Sequence, residues 1–197
     1  RRADDAGFQV AEIHAAHGYL LHEFLSPVTN TRDDAYGGDF ESRLRFPLSV
    51  VDAVRDAWPD GKPLFLRLSA TDWLPDRDSW DVAQSIQFAD RAADRGVDLI
   101  DVSAGGIHPA QQVPDTGPGY QIRYGRQLTE GTGDVAVGAV GGITTPEQAD
   151  SLVRNGRADV AIVGREHLRD PYFTLHAARE LGREDAVEVP PQYRRAF

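Results

Sequence analysis

The sequence predicts an α/β fold, and within that class a (β/α)8 barrel. Three observations carry the prediction. Five short apolar stretches alternate with helix-like stretches along the chain, the signature of repeated βα units. Glycines stand just past the ends of the third, fourth and fifth apolar stretches, in Ser103-Ala-Gly105-Gly106, Val140-Gly141-Gly142 and Val163-Gly164-Arg165, where the loops of a barrel build its site. No Gly-x-Gly-x-x-Gly follows a strand, so a doubly wound dinucleotide-binding sheet lacks its fingerprint. Five strands fit here, whereas a closed barrel has eight in about 250 residues.

In chain order, Arg1–Ala6 reads as the last turn of a helix with Gly7 as its stop. Strands are predicted at Gln9–His14, Leu64–Ser69, Leu99–Ser103, Val135–Val140 and Asp159–Val163. They read as continuous apolar runs, as expected of parallel strands buried on both faces. Helices are predicted at Ser42–Ala57, Ser79–Arg95, Ile122–Leu128, Pro146–Asn155 and Pro171–Leu181. The second has apolar residues at 82, 83, 86, 89, 92 and 93, one stripe of a helix. Ser103–Tyr120 contains Pro109, Pro114 and Pro118, and its length suggests a loop over the site. Glu188–Phe197 is Pro-rich and is predicted to be extended.

Composition excludes several classes. The 197 residues are 41% hydrophobic and 26% charged, ordinary values for a globular domain. No apolar run reaches the roughly 20 residues of a membrane helix, and no signal peptide is visible, so a cytoplasmic location and no membrane partner are expected. A net charge of −10 argues against nucleic acid as a partner. Without cysteine there is no disulfide, thiolate nucleophile or Cys-ligated cluster in the chain. Methionine is absent as well, and a start in mid-helix suggests that the sequence lacks an upstream part.

The chemistry concentrates in Glu12-Ile-His14-Ala-Ala-His17-Gly-Tyr19. Two imidazoles three residues apart, with a phenol two further on, follow a strand directly. Neutral imidazoles donate one N–H each, and two such donors can polarise a carbonyl or nitro oxygen. Tyr19 adds a weak acid. The plainer alternative is that both histidines only support the core. The run His14-Ala-Ala-His17-Gly-Tyr-Leu-Leu, Phe24-Leu-Ser-Pro27, then Asn30-Thr-Arg32-Asp-Asp34-Ala-Tyr36-Gly37-Gly38-Asp-Phe-Glu41-Ser-Arg43-Leu-Arg45-Phe46 resembles the Old Yellow Enzyme family of flavin-dependent ene-reductases. Asp39 and Ser42 depart from the Ser and Asn usual there, at positions that read as a turn or helix start. The resemblance implies that the chain is the C-terminal portion of one FMN-binding barrel domain, about strands four to eight, with strands one to three absent. It implies FMN as cofactor, NADPH or NADH as reductant, and an activated alkene as substrate. Hydride would pass from flavin N5, His14 and His17 would hold the activating oxygen, and Tyr19 would protonate the α-carbon.

Arg67 lies inside an apolar strand, where a guanidinium needs an anion or a hydrogen-bond network. It could pair with Asp72 or Asp101. It could also face the pyrimidine edge of a flavin, and Arg67-x-Ser69-x-x-Asp72 resembles the family in this. Gly142, with Gly164 and Arg165, suits a phosphate, since glycine lets the backbone approach closely and an arginine satisfies a dianion. Gly164-Arg165 resembles the pair that binds the FMN phosphate, with Gly142 contributing, although such glycines also serve as plain βα turns. The tail Tyr193-Arg194-Arg195-Ala196-Phe197 resembles that of a bacterial subclass similar to NADPH dehydrogenases and xenobiotic reductases. There Arg195 would reach into a neighbouring subunit, which implies a homo-oligomer. Ala196 and Phe197 replace Gly and Trp. His22, His108, His167 and His176 are read as solvent-facing. The alternatives are a metal-dependent barrel hydrolase using Glu12, His14 and His17, disfavoured by the cations Arg67 and Arg165 at other strand ends, and an inactive barrel fragment. A Schiff-base aldolase is disfavoured because Lys62, the one lysine, precedes its strand.

Overall fold

In the computed structural model, which describes residues 1–196, five parallel strands pair in strict sequence order. They are β1 (Ala11–Ala15), β2 (Leu64–Ser69), β3 (Leu99–Ser103), β4 (Ala136–Val140) and β5 (Val160–Ile162). A doubly wound sheet reverses its strand order at a switch point. This one does not reverse, and the architecture is that of a partial (β/α) barrel. The helices are α1 (Arg2–Asp5), α2 (Leu20–Leu25), α3 (Phe40–Ala57), α4 (Val82–Ala93), α5 (Ile122–Gly131), α6 (Pro146–Arg154), α7 (Arg165–Arg169) and α8 (Phe173–Glu180).

The strands are less uniformly apolar than their sequence suggested. Side chains alternate across a sheet, and here the two faces differ in chemistry. Ile13, Ala15, Leu64, Leu66, Leu68, Ile100, Val102 and Val137 form one face and pack under α3, α4 and α5 through Leu44, Leu48, Val51, Phe88, Ala92 and Leu128. The other face carries Glu12, His14, Arg67, Ser69, Asp101 and Ser103. The strand register sets His14, Arg67, Asp101, Gly138 and Val160 side by side in one row. A row of charged and polar groups on the inner face of a barrel marks a site rather than a plain core.

The helix starts follow side-chain caps. Asp39 accepts the Ser42 N–H at 2.7 Å, so both departures from the family pattern sit at the start of α3. Asp81 caps α4 and Thr145 caps α6 in the same way. The buried stripe of α4 is Ser85, Phe88, Ala89 and Ala92 rather than one running through the exposed Ala83, because Phe88 supplies most of its volume. Short α2 and α7 lie outside the predicted helix ranges, although His22 and His167 stand in helix-like sequence. The tail is not extended throughout, since Pro191–Tyr193 forms a tight helical turn. Phe197, the position that replaces Trp, lies outside the described residues.

Candidate active site

Because all strands run the same way, every loop leaving a C-terminal strand end lies at one edge of the sheet. There a cavity of about 460 Å³ is lined by His17, Arg67, Ser103, Gln121, Gly141, Gly142, Gly164 and Arg165, among others. Residues read from four separate stretches of sequence thus share one cavity. Thr116, Pro118 and Tyr120 of the long loop after β3 line it too. His14 and Tyr19 extend the cluster without lining the cavity. The His14 ring stands edge-on to His17 at 5.3 Å and to Tyr19 at 5.2 Å between centroids, and Tyr19 is 65% exposed.

Both candidate donors are held neutral. Burial lowers the His14 pKa, and the Arg67 charge lowers it further. Burial, then Arg67, His14 and His22, bring His17 down to about 4. The His14 Nδ1 accepts the Ala16 N–H at 3.2 Å, so its one remaining proton sits on Nε2 and is free to donate. The His17 Nε2 lies 2.7 Å from the Ser103 hydroxyl.

Arg67 answers both readings of a strand arginine. It pairs with Asp101, not Asp72, with Nη1 3.0 Å from Oδ2, and it also faces the cavity. Burial pushes the Asp101 pKa up to about 6 against the pull of Arg67, and the nearby Glu12 adds to the rise. Burial raises Glu12 as well, opposed by Arg67. The pair is not self-sufficient. The Arg67 Nε, the Asp101 Oδ1 and the Gln121 Oε1 are buried without a protein partner, and such atoms are rarely left unsatisfied.

Two residues that sequence reasoning passed over prove structural to the site. His22 is not solvent-facing; it is fully buried and bonded to Asp72 at 2.9 Å. Gln121, at the start of α5, donates to the Ser103 hydroxyl at 3.4 Å. His176, read as solvent-facing, bonds Asp170 at 2.6 Å while part of it remains exposed. Arg195 is exposed and does not line the cavity. Among the described residues no group of three His, Cys, Asp or Glu could hold a metal ion, so Glu12, His14 and His17 do not form a ligand set. No helix among the described residues is long and apolar enough to cross a membrane.

A sequence model described as NADH:flavin oxidoreductase / NADH oxidase family matches residues 1–184. A protein described as NADPH dehydrogenase, from Geobacillus thermodenitrificans (strain NG80-2), is 48% identical over 197 residues, which is 100% of this chain and 55% of that protein. The chain therefore spans about half the length of that curated relative. Among solved structures, a 2-naphthoyl-CoA reductase in complex with 2-naphthoyl-CoA superposes with a TM-score of 0.80 at 26% identity, over 92% of this chain and 27% of its own. A morphinone reductase in complex with tetrahydroNAD gives 0.69 at 27% identity, over 92% of this chain and 46% of its own.

Proposed function

The chain belongs to the NADH:flavin oxidoreductase / NADH oxidase family, and from that premise we propose that its protein is an FMN-dependent oxidoreductase that takes electrons from NADPH or NADH and reduces activated C=C bonds of small molecules such as enones, with nitro compounds as a related class. One observation carries the reading. A single cavity brings a half-buried strand arginine, a neutral imidazole and two glycine-bearing strand ends together with two lining residues, Arg67 and Gln121, that each carry a buried polar atom without a protein partner.

These residues fit FMN. Gly142, Gly164 and Arg165 would hold the phosphate, and Arg67 would face the pyrimidine edge, where a fixed cation stabilises negative charge. The unpartnered Arg67 Nε and Gln121 Oε1 supply a donor and an acceptor, which suits the polar edge of a heterocycle. FMN, when bound, supplies the hydride chemistry. The chain's own groups do the rest. The His14 Nε2–H and His17 polarise the substrate oxygen as neutral donors, so no imidazolium stands beside Arg67. Tyr19, next to His14 and open to solvent, delivers a proton to the α-carbon and can be resupplied from water. Arg195 would enter a neighbouring subunit's site in a homo-oligomer, and the strands would be the fourth to eighth of a closed barrel. The reading is tested by the visible spectrum of the purified intact protein. A flavin spectrum whose chromophore is released as FMN on denaturation is expected; a colourless protein that does not take up added FMN contradicts it.

A further inference from the structure

The sequence places three polar residues at the end of β2, in Arg67-x-Ser69-x-x-Asp72. Arg67 faces the cavity. The other two point to the loop after β1. Ser69 Oγ accepts the His17 N–H at 3.1 Å and donates to the Gly105 carbonyl at 2.8 Å. Asp72 is fully buried and accepts from three donors: His22 Nε2–H at 2.9 Å, the Ser26 hydroxyl at 2.6 Å and the Trp80 N–H at 2.9 Å. The remaining His22 nitrogen, Nδ1, accepts the Gly18 N–H at 3.0 Å. A carboxylate on Nε2 and an amide donor on Nδ1 allow one arrangement only, a neutral ring with its proton on Nε2.

What this chain of bonds restrains is the turn that carries His17. His17 has φ +58°, uncommon for a residue with a side chain. The following glycine is pressed against the next loop, where a Cβ would lie 2.4 Å from the Gly106 oxygen. A strained conformation persists only where its surroundings over-determine it. Here the His17 amide is tied to β2 through Ser69, and the Gly18 amide is tied to the same strand end through His22 and Asp72.

We propose that His22 and Asp72 are a positioning pair: through the Gly18 amide they hold the His17 turn in its left-handed form and so set the direction of the His17 ring in the cavity. The inference rests on the reading of His17 as a donor to substrate. It makes the β2 motif a single device in which one residue serves the cavity and two serve the turn of the neighbouring strand.

The test uses the intact FMN-loaded protein, a para-substituted phenol as ligand, and amide exchange at Gly18. In Asp72→Asn the new side-chain amide donates to His22 Nε2, which moves the ring proton to Nδ1 and sets two donors against each other at Gly18. FMN content should stay, the phenol dissociation constant should rise at least tenfold, and Gly18 exchange should accelerate. His22→Gln, which can accept from Gly18 and donate to Asp72, should retain most of the affinity that His22→Leu loses. Wild-type phenol affinity and unaltered Gly18 exchange in Asp72→Asn overturn the proposal. So does a parallel loss of FMN and phenol binding in all three variants, which would make the pair a support of the whole fold. If the wild-type protein binds no phenol, the donor reading of His17 fails, while Gly18 exchange still judges the pair: acceleration in Asp72→Asn upholds its hold on the turn and unchanged exchange refutes it.

Discussion

At the β1–β3 end of the sheet, the His17 turn is fastened to its neighbours by side-chain hydrogen bonds; at the β4–β5 end Gly141 packs on the Gln121 side chain, Gly142 on backbone, and Gly164 meets nothing. Ser69, Ser103, His22 and Asp72 tie the His17 turn from four positions, above a large shared core. By contrast β5 has three residues, Val160 is 40% exposed, and the core beside it consists of Ala139, Ile143, Leu152 and Ala158 with a few partly buried neighbours. Gly164 and Arg165 are exposed, and among the described residues no carboxylate pairs with Arg165. On the proposed assignment of donors and phosphate cradle, the difference marks where pre-organisation is needed. Donors that must be aimed at a reacting group are built into the protein, because positional error there costs rate. A phosphate cradle can close on its dianion, whose charge-assisted bonds supply the order.

The comparison can be broken at several points. The largest effect is expected at Tyr19→Phe. Reduction by NAD(P)H should be unchanged, while stopped-flow reoxidation by an enone should slow about 100-fold or more, the usual worth of a positioned acid. Equal slowing of both halves would remove Tyr19 from proton transfer. Arg165→Ala should lower FMN retention by about tenfold or more, since a dianion loses a bidentate partner. Unchanged flavin content after gel filtration would sink the cradle assignment.

Two glycines sharpen the contrast in stability. A Cβ on Gly106, at φ +95°, would lie 2.5 Å from the His17 Cα, whereas one on Gly164 meets nothing within 4 Å. Gly106→Ala should therefore destabilise by about 1–3 kcal/mol and Gly164→Ala by less than about 0.5 kcal/mol, measured by urea unfolding. Similar values for both would mean that the two ends are equally tight.

The smallest effect is in pH dependence. His17 is depressed from 6.5 to about 4, so its contribution to stability is in place above pH 6.5 and is lost as pH falls through about 4. Asp101 is raised from 3.8 to about 6, so its contribution is in place below pH 3.8 and is lost as pH rises through about 6. Between pH 4 and 6 the two slopes oppose each other. Asp101→Asn removes one of them, and stability should then fall more steeply on acidification than in the wild type. An unchanged slope in unfolding curves taken across that window would contradict the assignment.

Much of this was legible from residues alone. Strand order followed from the βα alternation, and the cavity's lining from polar residues and glycines at strand ends. Asp39 as a cap could be read from its place before an apolar helical stripe. His22 could not, because a histidine in a helix-like stretch looks the same whether it faces water or a carboxylate 50 residues away. Asp101 against Asp72 as the partner of Arg67 was likewise undecidable from spacing, since it depends on strand register. The inner-face alternation was masked because Phe65 and Leu99 interrupt the polar positions of β2 and β3.

The central claim is that His14 and His17 form a neutral donor pair over a bound flavin. Titration of the intact FMN protein with a para-substituted phenol tests it most directly, read as a long-wavelength charge-transfer band in the wild type and in the His14→Ala, His17→Ala double variant. The account predicts a saturable band in the wild type and none in the double variant, with FMN still bound in both. The same band at the same affinity in the double variant would contradict it.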